Sequence, residues 1–212
     1  MKKILFTSMT FLVLASVGYS SDLKGSDYIS TKVGETYNYK RINADDKDSF
    51  MIETTVKSCN ENKSSCQYTS QIKSSSEEKA SDSKYEYSYN IKKDGSVYTD
   101  LTGSGKEFLF LPATIEFNKK RTESSSFKDG NISKIYEFKK QIPNMNVGSK
   151  TYKDCIELEA DTTVNYKNKE HKVESQEFYC KGVGLVEENL KEIHKSKDPV
   201  TYKTILSSVE SK

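Results

Sequence analysis

The sequence predicts an all-β fold. The expected form is a single antiparallel meander, a strongly curved sheet or half-barrel of about ten strands, preceded by a cleaved signal peptide. Three observations carry the prediction. Lys84–Ile91 (KYEYSYNI) alternates without a break, with Tyr85, Tyr87, Tyr89 and Ile91 on one face and Glu86, Ser88 and Asn90 on the other. That period of two marks a half-buried strand. Asp94-Gly95 and Asp129-Gly130 stand between strand-like runs, and Asp-Gly is a favoured dipeptide for tight hairpin turns. Two further hairpins each set one cysteine opposite another.

The N-terminus comes first. Lys2 and Lys3 precede a mostly apolar run from Ile4 to Val17, followed by Gly18, Ser20 and Ser21. A short basic region, an apolar stretch too short to span a bilayer and small residues describe an export signal. Residues 1–20 are therefore expected to be removed after Ser20, with an N-terminal membrane anchor as the alternative. The first cysteine is Cys59, so no cysteine follows the apolar run as a lipid-attachment point. No later segment is apolar enough to span a membrane as a helix. The expected location is the periplasm, or full secretion.

Composition limits the function classes. The chain has 212 residues, 33 Lys and Arg against 31 Asp and Glu, three Pro and no Trp. The signal takes two lysines, so residues 21–212 are electrically neutral. A basic nucleic-acid binder and an acidic-tail protein are excluded, and the length suits one domain.

Strands are expected at Thr36–Ile42, Ser49–Cys59, Cys66–Lys73, Lys84–Ile91, Ser96–Leu101, Arg121–Phe127, Ile132–Lys140, Thr151–Tyr166, Glu170–Cys180, Gly184–Ile193 and Val200–Val209. Gly148-Ser149 and Asp198-Pro199 punctuate the later ones. Gly184–Ser196 also has helical spacing (Leu185, Val186, Leu190, Ile193), so a short helix is the alternative there. Ser74–Ser83 (SSSEEKASDS) is polar and low in complexity, and is expected to be a loop. Glu107–Phe117 is the most apolar stretch after the signal, and Pro112 makes it an edge strand or two short pieces.

An exported chain folds where disulfides persist. A two-residue turn at Asn62-Lys63 sets Cys59 opposite Cys66. A turn centred on Lys167-Asn168 sets Cys155 opposite Cys180. Directly opposite Cβ atoms lie about 4.5–5.5 Å apart, within reach of a bridge after small adjustment. The expected pairs are Cys59–Cys66 and Cys155–Cys180. Zinc ligation and redox chemistry are the alternatives, and neither has its usual cysteine spacing.

The segment from Val147 to Glu188 carries a resemblance. A Val-Gly turn (Val147, Gly148) precedes Tyr152, Cys155, Ile156 and Leu158. A charged hairpin then leads to FYCKGVGLVEE, Phe178 to Glu188. This resembles a group of small exported bacterial β-proteins in which an aromatic strand ends in a Lys-Gly-Val-Gly-Leu-Val turn. Val33-Gly34-Glu35 with Tyr37 and Tyr39, and Leu111-Pro112, also suit that group. The resemblance implies a curved antiparallel sheet or half-barrel, somewhat like the bacterial lipoprotein-carrier fold. It brings no catalytic residues, and Cys180 stands where such sequences often have a small residue. Gly182 and Gly184 read as a tight turn or bulge.

No catalytic set emerges from the residues. His171 and His194 fall in charged stretches and read as surface histidines. Glu187/Glu188, like Asp45/Asp46 and Glu77/Glu78, are sequence neighbours, and neighbours on a strand point to opposite faces. The expectation is no enzyme, no metal and no cofactor, with an envelope-polymer hydrolase as the remote alternative. The best candidate surface is the stripe of Tyr85, Tyr87 and Tyr89, which either packs onto the core or, together with Phe108, Phe110 and Leu111, lines the concave side of a curved sheet. Such a groove suits an apolar ligand. The alternative partner is an envelope protein.

Overall fold

The computed structural model describes residues 22–44, 49–74, 83–100, 106–127, 129–167, 169–194 and 197–211. The signal stretch, Leu101, and residues 75–82 of the polar loop lie outside the described residues.

Among the described residues, twelve strands form one antiparallel sheet. They are β1 (Glu35–Asn43), β2 (Ser49–Cys59), β3 (Ser65–Ser74), β4 (Ser83–Ile91), β5 (Val97–Thr99), β6 (Phe108–Leu111), β7 (Arg121–Phe127), β8 (Gly130–Val147), β9 (Lys150–Tyr166), β10 (Lys169–Cys180), β11 (Gly184–His194) and β12 (Lys197–Ser211). The order is β6-β5-β4-β3-β2-β1-β12-β11-β10-β9-β8-β7. Each strand thus pairs with its sequence neighbour, and the first strand also pairs with the last. The sheet nearly closes into a barrel, with its one seam in mid-chain between β6 and β7. Closure stops there for local reasons. β6 has only four residues, Pro112 ends it without an N–H to give, and the chain then crosses to make a parallel bridge from Phe117 to Phe138 of β8.

Gly184–His194 is a strand, and the helical alternative fails because its residues pair on both sides with β10 and β12. The expected break after Lys140 is also corrected. β8 runs on through Pro143 to Val147, where β7 no longer reaches it and the missing N–H costs no ladder bond. Pro199 likewise lies inside β12, beyond the last pairing with β1 at Tyr202. Glu107–Phe117 divides at Pro112 into β6 and an irregular crossing, one of the two forms expected.

One short segment outside the sheet organises the interior. Residues Gly25–Tyr28 form a single 3-10 turn. Its backbone is bonded to three different hairpins or strand ends: Gly25 N to Pro112 O (3.0 Å), Ser26 N to Gly95 O (2.9 Å) and Asp27 O from Gly182 N (2.7 Å). The Lys181–Asp27 ion pair (3.2 Å) reinforces the last of these. Gly182 and Gly184 have φ of 69° and 97°, the left-handed region that glycine enters without strain. The Lys-Gly-Val-Gly turn is therefore the clasp that receives the N-terminal segment. Tyr28, fully buried, packs with Val97, Leu111, Phe138, Ile156 and Leu158. A second cluster gathers Tyr37, Val56, Tyr68, Leu206 and both disulfides.

Candidate functional site

The inward rows of the sheet follow from register. Directly paired residues share a face, so Tyr87 opposite Tyr68 and Tyr68 opposite Val56 form one row. Tyr85 opposite Ser70 and Ser70 opposite Thr54 form the next, continued by Tyr37 on β1. Strand alternation then adds Tyr39 and Arg41 on β1 and Tyr89 on β4. These side chains, Val56 excepted, surround a cavity of about 370 Å³, completed by Phe110, Tyr179, Leu185 and Glu188. The volume lies in the range of small-molecule sites.

The N-terminal segment makes the floor through Tyr28, Ile29 and Ser30. From there Tyr37, Tyr39 and Arg41 climb β1, and Tyr89, Tyr87 and Tyr85 climb β4. At roughly 3.3 Å per residue each series rises about 13 Å. Tyr85 at the top is 49% exposed, which marks that end as the mouth.

The wall is a continuous aromatic surface. Tyr68 and Tyr87 stack at 5.2 Å, Tyr87 meets Tyr89 edge-on at 5.4 Å, Tyr89 stacks on Phe110 at 4.7 Å, and Phe110 meets Tyr179 edge-on at 5.9 Å. Such pairs add about 0.5–1.5 kcal/mol each beyond burial. Four of the hydroxyls are bonded to protein acceptors, while that of Tyr28 on the floor is buried without a partner among the described residues. Tyr39 donates to Leu185 O (3.1 Å), Tyr68 to Ser30 O, Tyr37 to Glu35 Oε2 (2.5 Å) and Tyr179 to Glu177 Oε2 (2.5 Å). What these four rings leave to the cavity is mainly carbon. Burial pushes the phenols of Tyr39, Tyr89 and Tyr179 well above their usual 10.0, and Tyr28 up to about 12.

A polar cluster sits near the mouth. Arg41 Nη2 donates to Glu188 Oε2 at 2.6 Å, Arg41 Nε to Thr204 Oγ1 at 2.8 Å, and Thr204 Oγ1 to the same Glu188 oxygen at 3.0 Å. The guanidinium lies 5.9 Å from the ring centres of both Phe50 and Tyr202. Burial holds the Glu188 carboxyl above its usual range, with Arg41 opposing. Its neighbour Glu187 points the other way, to Lys203 at 2.8 Å, as adjacency on a strand requires.

Of the six residues expected in a groove, Tyr85, Tyr87, Tyr89 and Phe110 line this cavity. Phe108 and Leu111 do not, which corrects that part of the expectation. The cause is a bulge in β6. The β5–β6 register shifts between Val97 and Tyr98, leaving Phe110 without a partner and free to turn onto Tyr89. Leu111 instead pairs with Val97, and both are wholly buried against the N-terminal segment. Tyr68, Tyr179, Arg41, Glu188 and the floor residues were not expected. The alternation of Tyr37, Tyr39 and Arg41 was the available signal.

Both cysteine pairs are bonded: Cys59–Cys66 with Cα atoms 4.1 Å apart and Cys155–Cys180 at 4.0 Å. Each pair is directly opposed in its hairpin register. His171 and His194 meet edge-on at 5.9 Å. A wider depression of about 490 Å³ lies along β8–β12. Its acids Glu137, Glu159 and Glu174 pair with Lys139 and Lys191, and the Tyr136 hydroxyl there is buried without a partner among the described residues. Among the described residues no helix is long and apolar enough to cross a membrane.

No family model matches the chain, and no curated protein matches it. Two crystal structures are similar in fold. One is a protein from Parabacteroides distasonis described as a lipoprotein: 14% identity, TM-score 0.58, covering 86% of this chain and 98% of that one. The other is a protein from Bacteroides fragilis described as exported with a YmcC-like fold: 13% identity, TM-score 0.57, covering 87% and 99%. At such identities the likeness is one of fold alone.

Proposed function

We propose that the chain is an exported, non-enzymatic binding protein of the cell envelope, working in the periplasm, that holds an apolar group of its ligand in the tyrosine-walled cavity. The carrying observation is that cavity itself: about 370 Å³, floored by the N-terminal segment and walled by stacked rings. The hydroxyls of Tyr37, Tyr39, Tyr68 and Tyr179 are bonded to protein, so these rings act as apolar surface. The two disulfides fit an oxidising compartment.

The test is titration with N-phenyl-1-naphthylamine, a neutral probe that brightens in apolar surroundings. Saturable brightening, lost on unfolding, supports the reading. Brightening no greater than with the denatured chain removes it, and in-cell crosslinking would then examine the alternative of an envelope interaction component without a small ligand.

A further inference from the structure

The mouth of the cavity says more about the ligand than the walls do. Arg41, Glu188 and Thr204 form a closed hydrogen-bonded ring at the third inward step of β1. The side chains of Arg41 and Glu188 are only 22% and 12% exposed, and Thr204 is buried. The pair is neutral as it stands. Among the described residues its bonds use one carboxylate oxygen and two guanidinium nitrogens. Glu188 Oε1 and Arg41 Nη1 have no protein partner there. The carboxylate oxygen and the two N–H groups of Nη1 belong to the groups joined by the 2.6 Å Nη2–Oε2 bond, and both side chains line the cavity.

Resting on the binding reading above, we propose that the ligand is an uncharged amphiphile whose polar end carries a hydroxyl or amide group, seated on the Arg41–Glu188 pair. A hydroxyl or a primary amide both gives and accepts a hydrogen bond, and so meets both free positions at once. A charged head does not. A carboxylate drawn to Arg41 competes with Glu188 and strands that carboxylate in a poorly hydrated site. An ammonium drawn to Glu188 strands the guanidinium. Burying an uncompensated charge is the dearer outcome in either case. The other nearby acid is Glu177, opposite Glu188 in the β10–β11 register. Each of its oxygens already accepts one hydrogen bond, from Ser175 Oγ (2.6 Å) and Tyr179 OH (2.5 Å), and its charge helps to raise the Glu188 carboxyl.

The experiment is displacement of N-phenyl-1-naphthylamine from the purified chain near pH 7.4 by dodecanol, dodecanamide, dodecanoate and dodecylamine, which share one chain length. The proposal expects the two neutral compounds to compete at least tenfold better than the two charged ones. Glu188→Gln leaves Arg41 alone and shifts the order toward dodecanoate by about tenfold. Arg41→Met leaves Glu188 alone and shifts it toward dodecylamine. Wild-type competition without head-group preference, or with a charged compound ahead, overturns the proposal even if both variants fail to fold. Folded variants with an unchanged order overturn it too. Failure of the wild-type chain to take up the probe at all is a different result: it removes the binding reading on which this one rests.

Discussion

Removing the bridge between Cys155 and Cys180 should cost more stability than removing that between Cys59 and Cys66, by an amount set by loop length. The first closes a separation of 25 residues and the second one of seven. In the chain-entropy model these loops contribute about 3.5 and about 2.4 kcal/mol. The expected gap is therefore about 1 kcal/mol. For a chain of this size the larger loss lowers Tm by about 7–14 °C. Three of the four cysteines are fully buried, so replacement by Ala also perturbs packing. Reduced wild-type chain, with its packing atoms intact, is the control. The assay is urea unfolding near neutral pH, followed by far-UV circular dichroism, for Cys59→Ala/Cys66→Ala, Cys155→Ala/Cys180→Ala and the reduced protein. If the short loop costs as much as the long one, loop entropy is not what these bridges contribute. If neither replacement costs more than about 0.5 kcal/mol, the bridges contribute little to the stability of the fold.

Other outcomes follow from the same geometry. Burial holds Tyr28 up to about 12, and holds Tyr39, Tyr89 and Tyr179 well above their usual 10.0. A phenol raised in the folded state contributes stability that is whole below pH 10 and is lost as pH climbs through its folded value. Absorbance of phenolate at alkaline pH should thus show these rings ionising together with unfolding above about pH 12; a smooth titration near pH 10 for every tyrosine would contradict their burial. Tyr89→Ala removes contacts to Tyr68, Tyr87 and Phe110 and should cost about 3 kcal/mol in urea unfolding; a loss below 1 kcal/mol would place Tyr89 outside the wall. Gly25→Ala puts a Cβ 2.5 Å from Pro112 O and 2.7 Å from Leu111 Cβ. It should loosen the floor, lower Tm and weaken probe uptake together, whereas unchanged uptake would mean that the N-terminal segment does not bound the cavity.

Much of the fold was legible because the strands differ so plainly from their turns. The KYEYSYNI alternation placed Tyr85, Tyr87 and Tyr89 on one face, and that face is the cavity wall. Cysteine spacing about two turns gave both pairings. The misses have physical causes. The strand expected to stop at Lys140 runs on through Pro143, and Pro199, read as punctuation, lies inside β12; both prolines sit where a neighbouring strand has already ended, so no hydrogen bond is forfeited. Phe108 and Leu111 read as groove residues because alternation was carried through β6, where a bulge redirects the chain and turns Phe110 alone inward. Arg41 and Glu188 lie 147 positions apart. Each looks like an ordinary charged strand residue until β1 closes on β12 and places β11 within reach. The floor was invisible for a related reason: Gly25–Tyr28 has no periodic pattern, and its role comes from the turns that clasp it.

The most direct test is native mass spectrometry of the chain purified from the periplasm without detergent. The account predicts a mass four hydrogens below the fully reduced chain, carrying a non-covalent adduct that disappears on denaturation and is diminished in Gly25→Ala. A bare chain that also takes up no neutral probe would contradict the claim that the tyrosine-walled cavity holds a ligand.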